Sequence, residues 1–233
     1  MRWIVLPCAL LLLSAASGCM TRVSPPYLTL ERTLLPGLGD IPPDRIADAY
    51  ATKVTVRPPV SAGLAWMEAG LSEYHRTGVL EAALAALRQP PFSDVTSMPT
   101  STVRRDRDRV DTVDALRSAA ARFQRDVALL LQTGVADGSG ANVLAATYIA
   151  LVPMLFVPGN GISLGASAEI CAVDARSGVM LACARGRAQR ERRYVLSTSV
   201  ERETRELEEQ CLREAVTAAA NDLRQAVAAR LTR

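Results

Sequence analysis

LGASAEICAV-DARSG-VMLACA, Leu164 to Ala184, is the stretch that decides the fold. Two apolar runs, Leu164 to Val173 and Val179 to Ala184, flank Asp174-Ala175-Arg176-Ser177-Gly178. A glycine near the end of so short a loop suits the left-handed position of a three- or four-residue hairpin turn, so two antiparallel strands are expected here. Upstream, Asp126 introduces Val127-Ala128-Leu129-Leu130-Leu131, a continuous apolar run that reads as a central strand buried on both faces. Downstream, Glu201 to Leu231 repeats Leu212, Val216, Ala219, Leu223 and Val227 at three- and four-residue steps. That spacing predicts a long amphipathic helix able to cover one face of a sheet.

Further toward the N-terminus, Val60 to Met67 (VSAGLAWM) is a short apolar run of buried-strand type. Thr77 to Arg88 then sets Leu80, Leu84 and Leu87 on one helical stripe, which Pro90-Pro91 must end. Phe92 to Met98 is a weaker strand, and the mixed charges of Arg104 to Arg109 read as a solvated loop. Thr112 to Phe123 forms a second helix with Val113, Leu116, Ala120 and Phe123 at helical spacing. The order is therefore β-α-β-α-β, an apolar segment, then β-β-α. It predicts an α/β (α+β) domain with one mixed sheet of about four to five strands, two or three helices packed on it and a long C-terminal helix.

The chain of 233 residues is long enough for one core of ordinary size plus tails. Its formal charge of +3 is a near balance that argues against nucleic acid as an obligatory partner. Lys53 is the only lysine among many arginines, which reads as codon bias rather than binding chemistry.

The first residues carry an address. Arg2 supplies a positive start, Trp3 to Leu13 an apolar stretch too short to span a bilayer as a stable helix, and Ser14-Ala15-Ala16-Ser17-Gly18 a run of small residues. Ala16-Ser17-Gly18-Cys19 resembles the lipobox at which a cysteine thiol is acylated before the leader is cut. Two or three acyl chains hold a protein far better than one. Met20 stands where an aspartate would resemble an inner-membrane retention signal, which favours the outer membrane, with the protein facing the periplasm. From Met20 the chain is punctuated by Pro25-Pro26, Pro36-Gly37, Pro42-Pro43 and Pro58-Pro59, as an extended tether would be. The expected division is a signal peptide at 1–18, a lipidated Cys19 and tether at 19–58, and a single domain at 59–233.

Three groups of residues invite a functional reading. Val143 to Val157 (VLAATYIALVPMLFV) is apolar apart from Thr147, Tyr148 and Pro153, and lies within the uncharged stretch between Asp137 and Glu169. Its length falls between a core element and a spanning helix. Pro153 and the loop chemistry of Gly138-Ser139-Gly140 and Pro158-Gly159-Asn160-Gly161 favour burial in the core. The alternative is docking on a membrane or partner through Tyr148, Leu151, Met154, Leu155 and Phe156.

Arg185, Arg187, Arg190, Arg192 and Arg193 make a dense basic stretch after the hairpin. They could contact anionic groups such as lipid phosphates. A solvated loop pairing with Glu201, Glu203, Glu206, Glu208 and Glu209 is the preferred reading.

Cys171 and Cys183 would face each other if the hairpin loop is Arg176-Ser177-Gly178. A four-residue loop would turn them to opposite faces, and Cys211 on the last helix is a competing partner. The thiols lack paired metal-ligand spacing, and His75 is the only histidine, read as exposed near the start of its helix. No catalytic residue, metal or cofactor is expected.

Four motifs together resemble the rhombotarget lipoproteins of the bacterial envelope: VSAGLAW at Val60 to Trp66, PPFSDVTSMPTS at Pro90 to Ser101, DVALLL running on to Phe156-Val157-Pro158-Gly159, and AVDARSGVMLACARG. The element order also looks like the anticodon-binding-like α/β fold of several periplasmic lipoproteins. The resemblance implies architecture and location and no activity, because function lives in sites. The sequence thus points to a lipid-anchored, non-catalytic module that binds another envelope protein. A tethered periplasmic hydrolase or transferase is the alternative.

Overall fold

The computed structural model describes residues 24–26, 51, 53–67, 73–99, 112–141, 160–194 and 200–232. In chain order the elements are β1 (Val60–Met67), α1 (Glu73–Leu87), β2 (Phe92–Met98), α2 (Thr112–Arg122), β3 (Val127–Ala141), β4 (Asn160–Asp174), β5 (Met180–Tyr194) and α3 (Val200–Leu231). The strands form one five-stranded mixed sheet in the order β2-β1-β3-β4-β5. β1 is parallel to both β2 and β3, whereas β4 runs antiparallel to β3 and β5. This is the α/β architecture that the residue pattern predicts.

Topology dictates the layers. The crossover from β1 through α1 moves outward to β2, and the next, through α2, moves back past β1 to β3. Crossovers keep one hand, so reversing direction puts the two helices on opposite faces. α1 and α3 share one face, packing Val79, Ala83, Leu87, Leu212, Val216, Ala219, Leu223 and Val227 on Leu64, Leu129, Leu131, Ile170 and Ala172. α2 takes the other, where Leu116, Ala119 and Ala120 meet Ala65, Leu130, Cys171 and Val173. Val127 to Leu131 is fully buried because helices cover both sides of it.

α3 lies very close to β5. A Cβ at Gly186 would sit 1.9 Å from the Ala215 carbonyl oxygen and 2.6 Å from the Ala219 nitrogen, so only glycine permits this approach. α3 also finishes α1, which has no basic residue in its last turn. Arg224 donates to the carbonyl oxygens of Ala86 and Pro90, both at 3.2 Å, placing a cation at the negative end of that helix.

Several expectations need correcting. β3 does not stop at Leu131, and Gly138-Ser139-Gly140 is strand rather than loop, paired residue by residue with β4. Asn160-Gly161 likewise opens β4. Arg185 to Arg193 is not a loop after the hairpin but the second half of β5, an edge strand whose charges discourage further strand addition. The α2 stripe ends before Phe123, which lies beyond the helix and is 41% exposed. The buried line of α1 is Val79-Ala83-Leu87, with Leu80 and Leu84 only partly buried.

The hairpin loop has four residues, since Asp174 N–H donates to the Val179 carbonyl at 2.9 Å and Gly178 N–H to that of Asp174 at 2.8 Å. Gly178 has φ of 75°, the left-handed position that its place in the sequence predicts. Such a loop would set the cysteines on opposite faces, but the register shifts between Ala172 and Val173, leaving Leu181 as an extra residue on β5. The bulge restores Cys171 opposite Cys183.

Candidate functional site

Two groups of polar residues stand out, one at each end of the β4-β5 pair. At the hairpin end, Asp174 is fully buried. Its Oδ2 accepts from Thr55 N–H at 2.7 Å and from the Thr55 hydroxyl at 2.8 Å. Its Oδ1 accepts from the N–H groups of Arg176 at 2.9 Å and Ser177 at 3.3 Å. Burial pushes the Asp174 carboxyl up, but hydrogen bonds from Thr55, Ser177 and Arg176 outweigh it and hold the group below its ordinary 3.8.

Arg117 of α2 closes the same loop from the side, donating to the carbonyls of Ala175 at 3.0 Å and Arg176 at 2.6 Å. Asp126 accepts from the Ser61 hydroxyl at 2.7 Å and pairs with Arg176 at 3.6 Å. Val54 and Val56, expected in the tether, pack on the core either side of Thr55. This end is a latch. Every donor on Asp174 comes from the segments it joins, and an ionised carboxylate so occupied is a poor proton acceptor.

The other group lies on the α2 side of the sheet, beyond the helix itself. Strand pairing lays out successive rows: Gln132-Glu169-Arg185, Gly134-Ser167-Arg187 and Ala136-Gly165-Gln189. The next row sets Ser163 beside Glu191. β3 and β4 thus supply mostly small or hydroxyl residues, and β5 supplies charge.

Glu169 is fully buried, and its Oε1 accepts from Arg185 Nε and Nη2, each at 2.9 Å. The Ser167 hydroxyl donates to the Pro26 carbonyl at 2.7 Å. Pro26, Ser167, Ala168, Arg185, Gly186 and Arg187 line a small surface depression. Ser163 Oγ and Gln132 Oε1 are buried without a hydrogen-bond partner among the described residues. A buried polar atom left without a partner costs about 1–3 kcal/mol.

The residues singled out from sequence are distributed as follows. Cys171 and Cys183 form a disulfide between neighbouring strands, beneath α2. Cys211 is free and fully buried on α3, and burial, with Glu214 adding and Arg190 opposing, pushes its thiol up to about 11. Such a thiol is inert at neutral pH.

The basic stretch divides by strand alternation. Arg190 and Arg192 point to α3, where they pair with Glu214 and with Glu203 and Glu206. Arg185, Arg187 and Arg193 occupy the opposite face, and Arg187 and Arg193 have no ion pair among the described residues. Cys19 and the segment carrying Tyr148, Leu151, Met154, Leu155 and Phe156 lie outside the described residues, as does the side chain of His75. Sequence reasoning missed Glu169, Ser167 and Asp174. Glu169 had a signal, a lone charge in an apolar hairpin strand opposite Arg185.

Among the described residues, no group of three or more His, Cys, Asp or Glu could hold a metal, and no helix is long and apolar enough to cross a membrane. No protein-family model matches the chain, and no curated protein matches it. Solved structures to which it is similar include lipoprotein GNA1162 from Neisseria meningitidis, at 14% identity over 64% of this chain and 94% of that one, with a TM-score of 0.34. The PelC dodecamer from Paraburkholderia phytofirmans is 13% identical over 76% and 91%, with a TM-score of 0.33. A minor lipoprotein from Acinetobacter baumannii is 13% identical over 75% and 93%, with a TM-score of 0.30. Likeness at this level carries no argument about what the chain does.

Proposed function

We propose that the chain is a bacterial envelope lipoprotein, exported by residues 1–18, anchored through a lipid on Cys19, and working as a non-catalytic binding or assembly module at the periplasmic side of the outer membrane. The resemblance to rhombotarget lipoproteins belongs to the same reading. One structural observation supports a binding role: Arg187 and Arg193 on β5 are exposed, have no ion pair among the described residues and offer donors to anionic groups beside the small residues of β3 and β4. The polar constellation at the hairpin end is consumed in latching Thr55, the loop and α2 together, so it supports no hydrolase chemistry.

The test is purification of the lipidated protein from gently solubilised envelopes, with mass spectrometry of what co-purifies and Cys19→Ser as control. One recurrent envelope protein, absent from the Cys19→Ser control, is the expected outcome. Recovery of the protein alone, together with turnover of an ester, peptide or glycan substrate by the purified domain, would replace the binding reading with the enzymatic one.

A further inference from the structure

The contact between Pro26 and Ser167 changes how far the domain can stand from its anchor. Thr55 is held at the hairpin end by Asp174, 36 residues after Cys19. If that were the first attachment, the domain would ride on a leash of about 120 Å when fully extended. Pro26 is only seven residues after Cys19, and its carbonyl is held by the buried Ser167 hydroxyl at 2.7 Å, against the depression lined by Arg185 and Arg187. Seven residues reach about 25 Å at most. Ser167 also lies seven residues along β4 from Asp174, about 23 Å, so the two attachments are well apart on the domain.

We propose that the Pro25-Pro26 segment is a docked strap, holding the face of β3, β4 and β5 that carries Ser167, Arg187 and Arg193 toward the bilayer and turning α3 away from it. The inference rests on lipidation of Cys19, as read above. The features of the face fit the role. Its glycines and serines leave room for an extended proline-rich strand, whose restricted backbone loses little entropy on docking. Arg187 and Arg193 are exposed there and unpaired among the described residues, offset by Glu191 alone on the same strand and face. They would meet anionic headgroups, whereas Arg190 and Arg192 are engaged by α3.

The test uses full-length lipidated protein in phosphatidylethanolamine–phosphatidylglycerol vesicles carrying a headgroup-linked quencher. Fluorophores are placed through Gln189→Cys on the strapped face or Arg230→Cys on α3. Quenching several-fold stronger at 189 than at 230 is expected. A ten-residue Gly-Ser insertion after Arg22 should abolish most of that difference, whereas the same insertion after Gly37, beyond the strap, should leave it intact. Equal quenching at the two positions, or equal sensitivity to the two insertions, overturns the strap. Protein that fails to float with the vesicles overturns the anchor itself, and the strap with it. Thermal unfolding of each insertion variant against wild type checks that the domain is folded before quenching is read.

Discussion

The two faces of the sheet are made by alternate residues of the same strands, yet they are built differently. Under α1 and α3 the alternating positions of β4 are Leu164, Ala166, Ala168, Ile170 and Ala172, and α3 settles on them so closely that β5 needs glycine at 186. On the opposite face the intervening positions are Ser163, Gly165, Ser167, Glu169, Cys171 and Val173, and only the last two lie under α2. One face is filled with apolar volume apart from Thr133, which accepts a hydrogen bond from the Trp66 indole at 3.2 Å. The other keeps buried hydroxyls, a buried carboxylate paired with the partly exposed Arg185, and a contact with Pro26. The contrast separates a face that apolar burial fills from one on which buried polar groups persist beside small residues.

The comparison breaks most easily at Gly186. Gly186→Val puts methyl groups where the Ala215 and Ala219 backbone already stands, and is expected to cost more than about 3 kcal/mol in urea unfolding. A cost under about 1 kcal/mol would mean that α3 is not seated as described. Next in size is the link across the other face. The double variant Cys171→Ser/Cys183→Ser opens a loop of sequence separation 12 and should lose about 2–3 kcal/mol, matched by adding reductant to the wild type.

Asp174→Asn is expected to cost about 1–2 kcal/mol at neutral pH, because an amide nitrogen replaces an acceptor facing buried donors. The folded carboxyl lies below its ordinary 3.8, so its contribution is present above that value and is lost as pH falls through the lower folded value. The gap between wild type and variant in denaturation midpoints should therefore stay constant from pH 7 to about 5 and close under more acid conditions. A gap that widened in acid would show that the carboxylate is not held ionised. The smallest effect sharpens the contrast between faces. Ser163→Ala removes a buried hydroxyl that has no partner among the described residues and should change stability by less than about 0.5 kcal/mol or raise it. A loss above about 1 kcal/mol would mean that this oxygen is bonded in solution.

Legibility in the sequence follows the same division. The face that burial builds could be read directly: the steps of Leu212, Val216, Ala219, Leu223 and Val227 all reach the core, and Val127 to Leu131 is buried on both sides. The extended halves of β3 and β5 could not. Gly138-Ser139-Gly140 and Arg190-Glu191-Arg192-Arg193 have poor intrinsic strand preference, and they are strand because β4 lies between them and pairs with both. Cross-strand neighbours decide such segments, and a window along one strand does not contain them.

The cysteine pairing illustrates the limit more finely. Loop length alone would have turned Cys171 and Cys183 apart, and one bulged residue at Leu181 brings them together. The candidate site was half visible: the arginines stood out, but their partition between two faces depends on the strand they belong to. Glu169 and Ser167 acquire meaning only from Arg185 and Pro26.

The central claim is that this domain is held to a membrane through Cys19, and the most direct test is the mass of the mature N-terminal peptide recovered from bacterial membranes. The account predicts a peptide beginning at Cys19 and carrying a thioether-linked diacylglycerol, with the protein released to the soluble fraction by Cys19→Ser. An unmodified Cys19, or a mature chain that begins elsewhere, would contradict it.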